Sequence, residues 1–161
     1  MRPTEPLPLH HSWPLYDLRE HLAPVVLDQD IAGNEAALAD RGLGLWHCNL
    51  ADNSISWTQG VYDIFGLEPG SIVPRPLSVS LYAHDSREAM ERLRAYAIRH
   101  QRGFTLDVDI RRPDGSDCAM RLIAAPVLLD GETVALHGVK QWLPKDVGAP
   151  VRLEPTTFFI P

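Results

Sequence analysis

The sequence has only two cysteines, Cys48 and Cys118, in 161 residues. That excludes a disulfide framework and suits a reducing compartment. It has no excess of positive charge. The formal net charge is -6, with 15 Lys and Arg against 21 Asp and Glu. A dedicated nucleic-acid or anionic-membrane binder needs basic patches, so neither is expected. No apolar run approaches the length of a membrane span. The opening MRPTEPLPLHH lacks the apolar core of a signal peptide, and a cytoplasmic location is the expectation. Ser-His-Asp order, a Gly-rich phosphate loop and a Cys-x-x-Cys pair are all missing.

Proline is plentiful but unevenly placed. Nine of the 14 prolines lie at positions 3, 6, 8, 14, 24, 144, 150, 155 and 161. Proline cannot donate a backbone hydrogen bond, so the two ends read as arms. The expected division is an N-terminal arm over 1–29, a regular domain over 30–142 opened by a short helix, and a C-terminal tail over 143–161. With 45% hydrophobic and 22% charged residues, the middle is of globular type.

Along that middle the periodicities alternate. DIAGNEAALADR is a short helix with Asp30 as its cap. In GLWHCNLADNSISW, Trp46, Cys48 and Leu50 alternate with His47 and Asn49, and Asp52-Asn53 turns the chain toward Ile55 and Trp57. This is a hairpin. Because alternation sends His47 to the face opposite Trp46 and Cys48, the three cannot share a metal. VYDIFG is a helical turn with Val61, Ile64 and Phe65 on one stripe and Gly66 as C-cap. Leu77 to Tyr82 is an apolar connector. A long helix starts at Asp85, with Asp85 and Glu88 spaced as a capping box, buries Ala89, Leu93, Tyr96 and Ala97, and ends by Gly103.

Three strands close the regular region. Phe104, Leu106, Val108 and Ile110 point inward, and Thr105, Asp107, Asp109 and Arg111 outward. PDGS and Asp130-Gly131 are the turns between strands. The order implies an α+β fold, a single antiparallel five-stranded sheet with helices packed on one face.

The order and wording of these pieces resemble a PAS domain of the PAS-3 fold subfamily over about 42–141. The resemblance rests on Trp46, Leu50 and Trp57 in the first hairpin, on VYDIFGLEPG, on DIRRPDGS, and on AAPV followed by HGVKQ. The subfamily's His-Pro-Asp-Asp before the long helix is Ala83-His84-Asp85-Ser86 here. Its closing Asp-Ile-Thr is replaced by Trp142-Leu143-Pro144, which opposes a continuing signalling helix. The resemblance implies a non-catalytic sensory or protein-interaction module of bacterial-type signal transduction, acting on a partner protein in trans and assembling as a homodimer.

A pocket between sheet and long helix is expected to be lined or filled by Trp46, Phe65, Tyr96, Phe104, Leu106, Val108, Met120 and Leu122. No cofactor is expected. Flavin-binding relatives carry an Asn-Cys-Arg-Phe-type run on a helix, and this sequence has none. One alternative is a haem-binding gas or redox sensor using His100. Another is a small α+β-cup enzyme with His84, His100 or Asp85 as base, although Asp85 is assigned to the cap. Cys48 reads as a small core residue, and His10-His11 as part of the arm.

Ala119 and Ile123 place apolar side chains on the sheet's second face, which implies a cover. The cover is either a second subunit, the preferred expectation, or the chain's own arms. Leu15, Leu18 and Leu22, or Phe158 and Phe159, are available for the latter.

Overall fold

The computed structural model describes residues 11–26 and 34–144. Its elements are β1 (Ser12–Pro14), a 3-10 turn (Leu15–Asp17), α1 (Leu18–Val26), α2 (Glu35–Asp40), β2 (Leu43–Asn49), β3 (Ile55–Trp57), α3 (Gln59–Phe65), α4 (Arg75–Ser80), α5 (His84–His100), β4 (Arg102–Arg111), β5 (Asp117–Leu129) and β6 (Glu132–Leu143). The strands form one sheet in the order β1-β4-β5-β6-β2-β3, and every pairing is antiparallel. The fold is α+β, as the sequence implies. The sheet has a sixth strand beyond the five expected, contributed by residues 12–14 of the segment read as an arm.

The turns form where local chemistry demands them. Asn53, Asp130 and Gly131 take positive φ values of 59°, 51° and 80°. Positive φ at both Asp130 and Gly131 matches the twist of a two-residue hairpin loop. In PDGS the Asp114 carboxylate accepts from the Ser116 backbone N–H at 2.8 Å. Gly66 closes α3 in the left-handed conformation with φ 71°.

The main core lies between the sheet and helices α3 to α5. It gathers Val61, Ile64, Phe65, Leu93, Phe104, Leu106, Val108, Ile110, Met120 and Leu122. Gly44 is required there. A Cβ on it would stand 2.5 Å from Val61 atoms, so a side chain would push α3 off the sheet.

A second apolar cluster occupies the opposite face. Trp13 and Leu22 pack on Ile123, Ala125 and Val139, with Leu15, Leu18, Leu43 and Leu45 at its margin. The N-terminal segment therefore covers the apolar outer face of β5 and β6. Thr105 and Asp107, outward-facing by alternation, are buried on the same face. Thr105 accepts from the Trp13 indole N–H at 3.0 Å, and Asp107 takes a two-point contact from Arg121 at 2.9 and 3.2 Å. The C-terminal alternative, Phe158 and Phe159, lies outside the described residues.

Three local expectations change. Asp30 lies outside the described residues, and the cap of α2 is Asn34, whose side chain accepts from Ala37 N–H at 3.0 Å. Asp85 is not the cap of α5. The N-cap is Ala83, without a side-chain bond, and Asp85 sits inside the first turn. The reason is tertiary: Ala83 N–H donates to Asp109 O on β4 at 2.9 Å, which holds Ala83 extended and starts the helix at His84. Gly103 does not end α5 either. Gln101 does, in the left-handed conformation with φ 57°. The apolar connector overlaps α4, which starts on Pro74 and Pro76, where a missing N–H costs nothing.

Candidate functional site

Between the sheet and α4 and α5 lies a cavity of about 50 Å³. Its floor is β-strand. Trp46 and Trp57 face each other across the β2–β3 pair, and Leu122 faces Lys140 across β5–β6. Its walls include Arg75, Ser78 and Val79 of α4, Tyr82, and Met90 and Arg94 of α5. Cys48, Ile55, Phe104 and Leu136 complete it.

Lys140 is the unusual member. It is only 5% exposed. Period-two alternation puts it on the same face as Leu136, facing the helices. Its Nζ stands 4.7 Å from the Phe65 ring centroid, 5.4 Å from Trp46 and from Trp57, and 5.8 Å from Tyr82. These are cation–π distances. The rings hold one another in place, since Trp57 stacks on Phe65 at 4.7 Å and Phe65 tilts against Tyr82 at 5.8 Å. Among the described residues no carboxylate pairs with Lys140 and no acceptor takes a hydrogen bond from it. Burial pushes its pKa down to about 7; Cys48 opposes the shift and Arg75 adds to it. Burial also holds the Tyr82 phenol neutral far above its ordinary range.

The Ser78 and Tyr82 hydroxyls of the cavity can donate or accept, and its other side-chain nitrogens are donors. The Trp57 indole Nε1 is buried with no hydrogen-bond partner among the described residues. Trp46 differs, because its indole N–H donates across Gly138 to Ile123 O at 3.3 Å. Arg75 is paired with Glu91. Arg94 donates to Asn53 Oδ1 at 3.1 Å. The cavity thus collects cations and N–H groups, with few acceptors to receive them.

A wider cleft of about 250 Å³ opens beside Gly42, Asp63 and Trp142. Its cation is committed, since Arg112 Nε donates to Ile64 O at 2.9 Å.

Of the residues expected to line a pocket, Trp46, Phe104 and Leu122 line this cavity. Phe65 reaches it through the Lys140 ammonium. Leu106, Val108 and Met120 are buried in the core beside it. Tyr96 is half-buried and does not line it; its ring lies 4.3 Å from His100. His100 is exposed at the end of α5 and is not part of the cavity. His84 and Asp85 are exposed at the start of α5, where they cluster with Glu88. Cys48 is buried on a strand, as is Cys118, whose Sγ donates to Ile64 O at 3.4 Å.

The sequence reasoning passed over Lys140, Trp57, Tyr82 and Arg75 as site residues. A signal for Lys140 was present. A lysine two positions beyond an inward glycine and four beyond an inward leucine, in an otherwise apolar strand, falls on the buried face.

No family model matches the sequence, and no curated protein matches it. Solved structures do. The N-terminal domain of a diguanylate cyclase with PAS/PAC sensor from Marinobacter aquaeolei matches at TM-score 0.56 and 17% identity, over 61% of this chain and 92% of that one. The PAS domain of a Colwellia psychrerythraea protein matches at TM-score 0.57 and 16% identity, over 75% of this chain and 99% of its own. A Rhodobacter sphaeroides LOV protein matches at TM-score 0.55 and 14% identity, over 69% and 66%. The chain has the PAS fold.

Proposed function

From the PAS fold and the cavity it encloses, we propose that this chain is a non-catalytic sensory and interaction module of a bacterial-type signalling system. It takes a small ligand between sheet and helices and passes its occupancy to a partner protein. The observation that carries this reading is Lys140. A buried ammonium without a counter-ion destabilises a fold, and a core that only packs has no use for one. A site that recruits its missing partner from solution does.

The route from cavity to surface is short. Val139 and Lys140 are adjacent on β6. Lys140 faces the cavity, while Val139 packs under Trp13 and Leu22 on the other side of the sheet. A ligand that draws Lys140 toward itself favours one setting of β6 and with it one setting of the N-terminal segment. That segment is the surface we assign to signalling. A homodimer, which the resemblance implies, then has to use a surface other than the outer face of β5 and β6 that Trp13 and Leu22 already occupy. Sedimentation of the 18.0 kDa chain reads that directly.

Exposed His100 offers no axial ligand aimed into the cavity, so haem is not part of the proposal. Neither is flavin. The cavity is small beside the ~300–1,000 Å³ of pockets for drug-sized ligands. We propose a cytoplasmic setting, which suits two buried cysteines that form no disulfide with each other. No helix among the described residues is long and apolar enough to cross a membrane.

The test is mass spectrometry of the purified protein under native and denaturing conditions, followed by hydrogen exchange with and without the released compound. A small molecule should be released on denaturation, and restoring it should alter exchange over residues 12–26. Release of nothing, together with turnover of substrate by the isolated chain, would instead support an enzyme.

A further inference from the structure

We propose that the cavity is a receptor site for a short-chain monocarboxylate, its anion held at Lys140 Nζ with the Trp57 indole N–H as second donor. This rests on the reading above that the cavity takes a small ligand.

Three observations specify the class. First, the charged groups lining the space are cations, the Lys140 ammonium without a carboxylate and the Arg75 and Arg94 guanidinium groups; the Ser78 and Tyr82 hydroxyls can also donate, and Trp57 buries an N–H without an acceptor beside them. A ligand that satisfies them supplies acceptor atoms and negative charge. Second, the charge is one. Arg75 is already neutralised by Glu91, and Arg94 lies at the outer edge against Asn53. That leaves a single buried cation. A monoanion balances it, whereas a dianion would bury an unpaired charge. Third, the remaining walls are Ile55, Val79, Met90, Leu122 and Leu136. They favour an alkyl body. An apolar cavity of about 150 Å³ holds benzene. This one, at about 50 Å³, is a third of that and limits the ligand to the smallest carboxylates, formate and acetate.

The aromatic cage serves this chemistry. In the empty state the ring faces partly stabilise the ammonium. On binding, the carboxylate pairs with the ammonium, and Lys140 is held protonated. Binding should therefore take up a proton near and above pH 7, where the free lysine titrates. The groups facing Lys140 are Cys48, Arg75 with Glu91, Arg94 and Tyr82.

The experiment is titration of the full chain with formate and acetate, followed by the indole N–H resonances in proton–nitrogen NMR. Trp57→Phe identifies which of the four tryptophans reports. Sodium chloride at matched ionic strength, acetamide and methylamine are the controls. The carboxylates should move the Trp57 N–H downfield and saturably at millimolar concentration; chloride and the amine should not. Lys140→Met should weaken carboxylate binding more than tenfold. In wild type, affinity should fall as pH rises from 6 to 9.

An equal response to acetamide in wild type and Lys140→Met would overturn the anion and leave a ligand-binding cavity standing. Carboxylate affinity flat with pH in wild type would overturn the role of Lys140 even if the variant failed to fold. So would a covalent adduct trapped by borohydride with an aldehyde, without any carboxylate response. Silence toward every compound would overturn the ligand class, and the release experiment above would then judge the sensor reading separately.

Discussion

At Lys140 the strain of an unpaired buried charge is open to measurement. Its pKa is about 7 in the fold against an ordinary 10.5. Between those values the unfolded chain holds a proton that the folded chain has lost, so stability rises with pH across that window. Below pH 7 the lysine is charged in both states and the penalty is full. Lys140→Met should then be more stable than wild type by on the order of a few kcal/mol at pH 6. The difference should shrink toward pH 10. Urea denaturation at several pH values checks this. A difference that does not change with pH would mean that the ammonium reaches water. The single substitution expected to abolish ligand binding is therefore also expected to stabilise the protein, which separates a binding role from a packing role.

Among elements, the N-terminal segment is the one whose attachment depends on a single small residue. A Cβ at Gly103 would lie 2.2 Å from the Trp13 ring. The indole is rigid and sits on backbone, so it cannot yield without lifting β1 from β4. Gly103→Ala should cost about 1–3 kcal/mol, as overpacking does. It should also redden tryptophan fluorescence and speed hydrogen exchange over residues 12–26, with the rest of the sheet unchanged. Leu106 is a contrasting case. It is 1% exposed, in the centre of β4. Leu106→Ala should lower global stability by about 2–5 kcal/mol through the cavity it leaves, and a urea midpoint shift without selective loss of the N-terminal segment would show it. The two variants distinguish the covering element from the core.

For the whole molecule, the pH profile joins the two faces of the sheet. His21, stacked on Trp13 at 4.0 Å, has its pKa lowered by burial, with Asp17 opposing. His137 is lowered by burial and by His47, which lies directly opposite on β2. A histidine depressed in the fold contributes stability above its unfolded pKa of 6.5, and this is lost as pH falls through 6.5 toward the folded value. Lys140 acts in the same direction at higher pH. The melting temperature should therefore climb from pH 5 toward alkaline pH instead of peaking at neutrality. His137→Asn should flatten the lower part of that slope. A profile flat between pH 5 and 7 would mean that both imidazoles are solvated.

How much of this was legible beforehand follows the range of the forces involved. Strand alternation from Phe104 to Ile110, the turn at Asp130-Gly131 and the cap at Gly66 are set by neighbours a few residues away, and the sequence alone determined them. So did the α+β order and the apolar second face at Ala119 and Ile123. The start of α5 was not legible, because Ala83 is fixed by Asp109, far along the chain, and not by a side chain of its own turn. Nor was the identity of the cover over Ile123. A proline-rich stretch can fold back only where a partner such as Gly103 leaves a seat for Trp13, and no local pattern pairs those two residues. The site was half visible. Trp46, Phe104 and Leu122 follow from alternation, but the rings around Lys140 come from β2, β3, α3 and Tyr82, two residues before α5. Their convergence on one ammonium is a property of long-range packing, and only the tertiary structure decided it.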